Sequence, residues 1–206
     1  MHSVVFQKKL NNAELGKGGV HETYIREDSD FNFDEFKFVK SEVMTFWCPS
    51  NQKEYKGLHY EKFPNESRIA GLGEFFRDFS VTASDTVILT ANINKDQREY
   101  FIDVKKENNI LVVLENKNGL EILNEDKISL INENTTFNNL PFSVVLLKQA
   151  KKRSDSPILT NYYTINVNNE PYPPQMGKWF EIKIDNNNAI LRPRKIWTKN
   201  IFTIGD

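Results

Sequence analysis

The chain is poor in the residues that build disulfide-braced or metal-bound scaffolds. Its 206 residues include one cysteine, Cys48, so no internal disulfide can form and no zinc site built on several thiolates is available. The three histidines, His2, His21 and His59, do not fall at a metal-ligand spacing. No serine or cysteine stands in a Gly-x-Ser-x-Gly context, which argues against hydrolases that use a nucleophile elbow. Long apolar runs are missing too: nothing approaches the roughly 18 residues of a membrane helix. Met1 to Phe6 leads straight into Lys8-Lys9 without a signal-peptide pattern, so a cytoplasmic protein that does not associate with membranes is expected. Finally, there is no excess of one charge. With 27 basic and 28 acidic residues the net charge is -1, so the local placement of Lys and Arg has to decide whether phosphate is bound.

Core-forming residues are abundant. Fifteen Phe, seven Tyr and three Trp supply enough buried area for an ordered core. Short β-branched or alternating runs recur at Val4 to Phe6, Phe36 to Val39, Thr86 to Thr90, Tyr100 to Val104 and Ile110 to Leu114. More follow at Phe142 to Leu147, Tyr162 to Val167, Phe180 to Ile184 and Ala189 to Leu191. The expected class is mainly β with short helices. Polar Asn94 to Gln97 and Asn116 to Gly119 read as hairpin connections. Leu120 to Asn132 fits a short helix or another strand. Lys148 to Pro157 has lost its apolar period and reads as a surface loop, and Pro171 to Pro174 interrupts regular structure. A core over residues 1–150 is expected, with 151–206 either completing the same domain or forming an appendage.

Two segments carry binding chemistry. In Leu15 to Glu22, Gly16, Gly18 and Gly19 free the backbone for close approach to a ligand, while Lys17 and His21 supply donors. This is not a P-loop, because Lys17 is followed by glycines instead of Ser or Thr. In Glu61 to Ile69, donors and acceptors alternate before the pair Gly71 and Gly73. Arg can bond two guanine acceptors, Asn can pair with adenine, and Glu can accept from the cytosine amine.

Together, in this order and at this separation, the two segments resemble the N-terminal effector domain of EcoRII-type restriction endonucleases. The first match runs from Lys8-Lys9-Leu10 through Gly16, Gly19 and His21 to Tyr24-Ile25. The second comprises Lys62, Asn65, Glu66, Arg68, Ile69, Gly71 and Gly73, without gaps. The resemblance spans roughly residues 8–104. It implies a B3-like open pseudobarrel whose two arms grip the major groove and read a short asymmetric site on double-stranded DNA. On that basis Lys8, Lys9, Lys17 and Arg77 contact phosphates together with backbone amides such as those of Gly18 and Gly19. His21, Asn65, Glu66 and Arg68 contact base edges, and Tyr24, Lys62 and Ser67 complete the arms. Pro64 stands at a basic position of the family and Ala70-Gly71-Leu72 replaces a stretch with Arg and Trp, so a different site should be read. No cofactor is expected. The implied setting is a prokaryotic restriction system, with cutting or NTP-driven translocation supplied by a fused or partner module, and with no enzymatic activity in this chain itself.

Three other readings compete with this one. Asp103 with Glu115 and Lys117 could form a Mg²⁺-dependent PD-(D/E)xK nuclease site across a hairpin, although the pattern carries little information in so charged a chain. Phe75, Phe76, Trp47 or Trp179 could stack on single-stranded bases, but such residues normally pack in cores. A partner-binding β-barrel without nucleic acid is the third.

Overall fold

The structure, a computed structural model, describes residues 2–16, 23–27, 32–94, 97–152, 154 and 157–203. Strands account for 56% of the chain and helix for 8%, so the mainly β class with short helices holds. The chain divides into two compact units, residues 1–106 with 195–206, and residues 107–194. The chain thus passes from one unit to the other after residues 106 and 194.

The first unit contains β1 (His2–Lys9), β2 (Tyr24–Arg26), β3 (Val43–Cys48), β4 (Lys53–Lys62), β5 (Ser67–Ala70), β6 (Thr86–Asn94), β7 (Gln97–Lys105) and, from the far end of the chain, β16 (Trp197–Thr203). Between β5 and β6 lies one helix, α1 (Gly73–Asp78). The eight strands form one sheet in the order β16-β1-β6-β7-β3-β4-β5-β2, curled into a half-barrel. The β6–β7 hairpin forms as its sequence suggests, with Asn94 opposite Gln97. β16 pairs antiparallel with β1 from His2 opposite Thr203 to Lys8 opposite Trp197, so the last strand belongs to the first sheet.

Alternation decides which way each strand faces. In β1, Val4, Phe6 and Lys8 are buried, while Val5, Gln7 and Lys9 are partly exposed. The core is aromatic: Phe6 meets Phe33 edge-on at 5.9 Å, Phe33 meets Phe36 at 5.8 Å, and Phe46 stacks on Tyr100 at 5.3 Å. Burying each such ring contributes about 1.5–3 kcal/mol. Phe36 to Val39 is not the strand that its composition suggests. Asp34–Phe36 form a 3₁₀ turn and Lys37 has a φ of +57°, a geometry that sends Phe36 and Phe38 toward common aromatic neighbours, Phe33 among them.

Gly71 ends β5 with a φ of +88°, and a Cβ there would stand 3.0 Å from the Gly57 carbonyl oxygen. Both the backbone conformation and the close approach require glycine.

The second unit contains β8 (Ile110–Asn116), β9 (Gly119–Ile122), β10 (Thr136–Phe137), β11 (Leu140–Lys151), β12 (Leu159–Val167), β13 (Glu170–Pro171), β14 (Trp179–Asp185) and β15 (Asn188–Pro193). Pairing of β11 with β12 closes seven of these strands into a barrel around Leu111, Val113, Phe142, Ile165, Phe180 and Ile182. Residues 116–119 form the expected β8–β9 turn. Leu120 to Asn132 divides between β9 and a 3₁₀ segment at Glu125–Leu130. Lys148 to Lys151, expected in a loop, extend β11 and pair with Leu159 to Tyr162, because the hairpin ladder satisfies their backbone groups despite their polarity.

Three tight turns share one chemistry. Asn138-Asn139, Asn168-Asn169 and Asn186-Asn187 all have positive φ at both residues, between 48° and 64°. They join β10 to β11, β12 to β13 and β14 to β15 as two-residue loops. This is the type I′ geometry that matches strand twist, and asparagine tolerates it better than most residues do. Among the described residues no helix is long and apolar enough to cross a membrane.

Candidate functional site

Three neighbouring strands of the first unit bring parts of the two sequence segments together. β5 lies between β2 and β4, all antiparallel, with Arg26 opposite Arg68 and Arg68 opposite Glu61. One residue along, Ile25, Ile69 and Tyr60 align and are buried. The two-residue period therefore turns Tyr24, Arg26, Glu61, His59 and Arg68 to the opposite face from this apolar row.

The β4–β5 connection is a tight hairpin. Lys62 pairs with Ser67, and the Phe63 N–H donates to the Glu66 carbonyl at 2.7 Å, which leaves Pro64 and Asn65 at the tip. Lys62, Phe63, Pro64 and Asn65 are exposed, whereas Ser67 is buried. A groove of about 610 Å³ runs beside this hairpin, lined by Arg26, Glu27 and residues 62–67.

Arg68 is tightly engaged. Its Nε donates to Glu61 Oε2 at 2.6 Å, and its guanidinium lies 5.1 Å from the centre of the Tyr24 ring and 5.0 Å from that of Phe63. Glu66 stands 3.9 Å from Arg68 Nη1 and 3.5 Å from Arg26 Nη1. His59 Nε2 lies 3.0 Å from the other oxygen of Glu61. The hydrogen bond from Arg68 is the main reason that the Glu61 carboxyl is held below its ordinary range, partly opposed by desolvation. Burial, followed by the charge of Glu66, raises the Tyr24 phenol. Lys62 and Asn65, by contrast, make no side-chain hydrogen bond or ion pair among the described residues. Among the described residues, the groove thus combines positioned charges with donors that have no side-chain partner.

The base of the first segment is anchored by Glu14. Its carboxylate accepts from Lys8 Nζ at 2.6 Å, the Arg26 N–H at 3.0 Å and the Asn11 N–H at 3.1 Å. Lys8 also donates to the Arg26 carbonyl. The Glu14 carbonyl receives the Tyr24 N–H at 3.1 Å, which joins the two flanks of residues 17–22. Lys17, Gly18, Gly19 and His21 lie outside the described residues.

Compared with models of known protein families and with curated protein sequences, the chain matches none.

Lys8, expected on phosphate, is buried in its pair with Glu14, so the β1 alternation makes it a structural cation. Lys9 is half-buried, with its backbone N–H on the Ile196 carbonyl at 2.7 Å. Arg77 is exposed on α1, and a Cβ built on Gly73 would lie 3.2 Å from its Nη1 and 3.4 Å from Thr23 Oγ1. It therefore stands close to the entry of β2. Tyr24, Lys62, Asn65, Glu66, Ser67 and Arg68 all belong to the β2-β5-β4 region.

Arg26, Glu61 and Phe63 were not singled out from the sequence. The signal for Arg26 is its place two residues after Tyr24, on the same face of a strand. The hairpin invoked for Asp103, Glu115 and Lys117 does not form: β7 pairs with β6 and β3, while β8 pairs with β14 and β9. Asp103 instead accepts from Ser50 Oγ at 2.7 Å and from the Val104 N–H at 2.8 Å. Among the described residues no cluster of three or more His, Cys, Asp or Glu is placed to hold a metal ion. Phe75 and Phe76 are buried, while Trp47 is 38% exposed.

Proposed function

We propose that the first unit recognises a short site on double-stranded DNA, as the target-recognition part of a prokaryotic restriction system. The observation that carries this reading is the convergence of Tyr24, Lys62 and Arg68 on three adjacent strands with Asn65 and Glu66 in the β4–β5 turn, beside an open groove. A two-stranded ribbon ending in a tight turn fits the major groove, which is about 12 Å wide. Lys62 and Arg26 contact phosphates and set the register. Asn65, at the tip, pairs with an adenine edge. Arg68 reads guanine by exchanging its approach to Glu66 for the base while Glu61 keeps hold of Nε. The half-barrel supports a B3-like architecture, in which the segment between Gly16 and Thr23 supplies the other arm. Cutting or translocation belongs to a fused or partner module.

The test is selection from randomised duplex DNA at moderate salt, with and without Mg²⁺, followed by sequencing of the retained fraction. Enrichment of one short motif supports the reading; failure to retain any duplex refutes it.

A protein-binding role rests on a separate observation. Val145, Leu146, Leu147, Ile158 and Leu159 are 44–58% exposed along the β11–β12 hairpin of the second unit. Large apolar side chains left exposed along one hairpin suit a protein partner. An increase in mass with concentration on sedimentation, removed by Leu146→Ser with Leu159→Ser, is the corresponding test for self-association.

A further inference from the structure

Phe63 presents an aromatic ring at the end of a hairpin, beside Pro64 and the polar side chains of Lys62, Asn65 and Glu66. The residue is 46% exposed, so core packing does not account for its placement. It is nevertheless held in position. Its backbone N–H is fixed to the Glu66 carbonyl at 2.7 Å, Pro64 restricts the next φ, and Arg68 lies 5.0 Å from its ring centre. Arg68 is itself pinned by Glu61 at 2.6 Å and packed against Tyr24 at 5.1 Å. The row Tyr24, Arg68, Phe63 thus ends in an apolar surface beside Lys62, with Arg26 on the same groove. The groove carries two cations, Arg26 and Lys62, and two carboxylates, Glu27 and Glu66. A fixed apolar group in such a polar groove suits a ligand edge that mixes hydrogen-bonding groups with a small apolar projection. In duplex DNA, the major-groove group of that kind is the C5-methyl of a pyrimidine.

We infer that Phe63 is a specificity-determining residue that contacts the C5-methyl of one pyrimidine in the bound site, either thymine or 5-methylcytosine. The inference rests on the DNA-recognition reading above. In a duplex the base faces are covered by their neighbours, so an aromatic side chain in the major groove meets the methyl edge instead of stacking. Arg68 sets the height of the ring, and the rigid turn removes the entropy cost of ordering it on contact.

The experiment uses the full chain and the duplex obtained by selection. Each thymine is replaced in turn by uracil, and each cytosine by 5-methylcytosine, so every base pair is tested for a methyl effect. At one position the methylated base should bind about fourfold more tightly than its unmethylated counterpart, the value expected for burying one methyl group. Phe63→Ala should bind both forms equally, and Phe63→Leu should retain part of the preference. Phe63 is exposed, so both variants should fold; matching far-UV circular dichroism and melting verify this. Specific binding with no methyl effect at any position, or the same effect in Phe63→Ala, overturns the inference and leaves the DNA reading standing. Tighter binding of the unpaired strand than of the duplex overturns the methyl contact in favour of stacking. Failure to retain any duplex overturns both.

Discussion

The Lys8–Glu14 pair makes a quantitative claim about how the first segment is held. Both side chains are nearly inaccessible, at 4% and 2% exposure. They join β1 to β2, strands that are not neighbours in the sheet. Glu14→Gln keeps the volume of the side chain and an oxygen for the Arg26 N–H, but leaves the Lys8 ammonium buried without a counter-charge. Breaking a buried pair on one side costs about 3–5 kcal/mol. That is a large share of the roughly 5–15 kcal/mol by which a domain is stable.

Trp179 lies in the second unit, so a Trp179→Phe background leaves Trp47 and Trp197 as fluorescence reporters of the first. At a urea dependence of about 2 kcal/mol per molar, the midpoint should fall by roughly 1.5–2.5 M. The double variant Lys8→Met with Glu14→Leu should recover only part of this loss. It removes both charges but strips acceptors from the half-buried Arg26 and Asn11 N–H groups, each of which costs up to about 1–3 kcal/mol when left unpaired. A fall of less than about 0.5 M for Glu14→Gln would refute the anchoring role, since that corresponds to about 1 kcal/mol.

Further outcomes follow from the same geometry. Lys62→Ala and Arg26→Ala should each weaken binding to all duplexes and lower the salt slope by about one, whereas Lys8→Met should leave the slope unchanged; binding titrations from low to moderate salt decide this. Glu61→Gln should loosen Arg68 and cost about 1–3 kcal/mol of discrimination at one base pair, read by competition with single-substituted duplexes. Because Arg68 lowers the Glu61 pKa in the folded state, its stabilisation is present above the ordinary value of 4.5 and is lost as pH falls through the lowered value. The Nε–H resonance of Arg68 followed by NMR should shift in that acid range, and Glu61→Gln should abolish the shift. Burial raises the Tyr55 phenol to about 12, so its contribution is intact below about 10 and declines as pH rises toward 12. Tyr55→Phe should flatten the alkaline limb of the stability profile.

Much of the secondary structure was legible because strands announce themselves locally. Ile110 to Val113 is a continuous apolar run and is buried throughout, whereas β1 alternates in burial from Val4 to Lys9 although its sequence does not, with Val5 partly exposed and Lys8 buried. The turns at 94–97 and 116–119 follow from polar residues between strand formers. The Asn-Asn pairs at 138–139, 168–169 and 186–187 carry an equally local signal for I′ hairpins, which counting alternation does not weigh. Phe36 to Val39 misleads because strand-forming side chains can serve a core from a non-strand backbone once Lys37 takes positive φ. Lys148 to Lys151 mislead in the opposite sense, since partner strand β12 sustains a ladder that their composition does not encode.

The candidate site was half legible. Residue types and spacing in 61–69 are local and point to polar recognition, and the strand period assigns their faces. Whether Lys8 meets phosphate or a buried carboxylate depends on where Glu14 packs, and whether Asp103 meets Glu115 depends on which strands pair. Residues 107–194 intervene before β16 returns to β1. The sequence by itself determined the strand-rich class, several tight turns and the polar hairpin, because each follows from the preferences of a few adjacent residues. Only the tertiary structure decided the two-unit division, the partner of Lys8 and the Tyr24–Arg68–Phe63 row, because each depends on contacts between residues distant in the chain, which local periodicity does not encode.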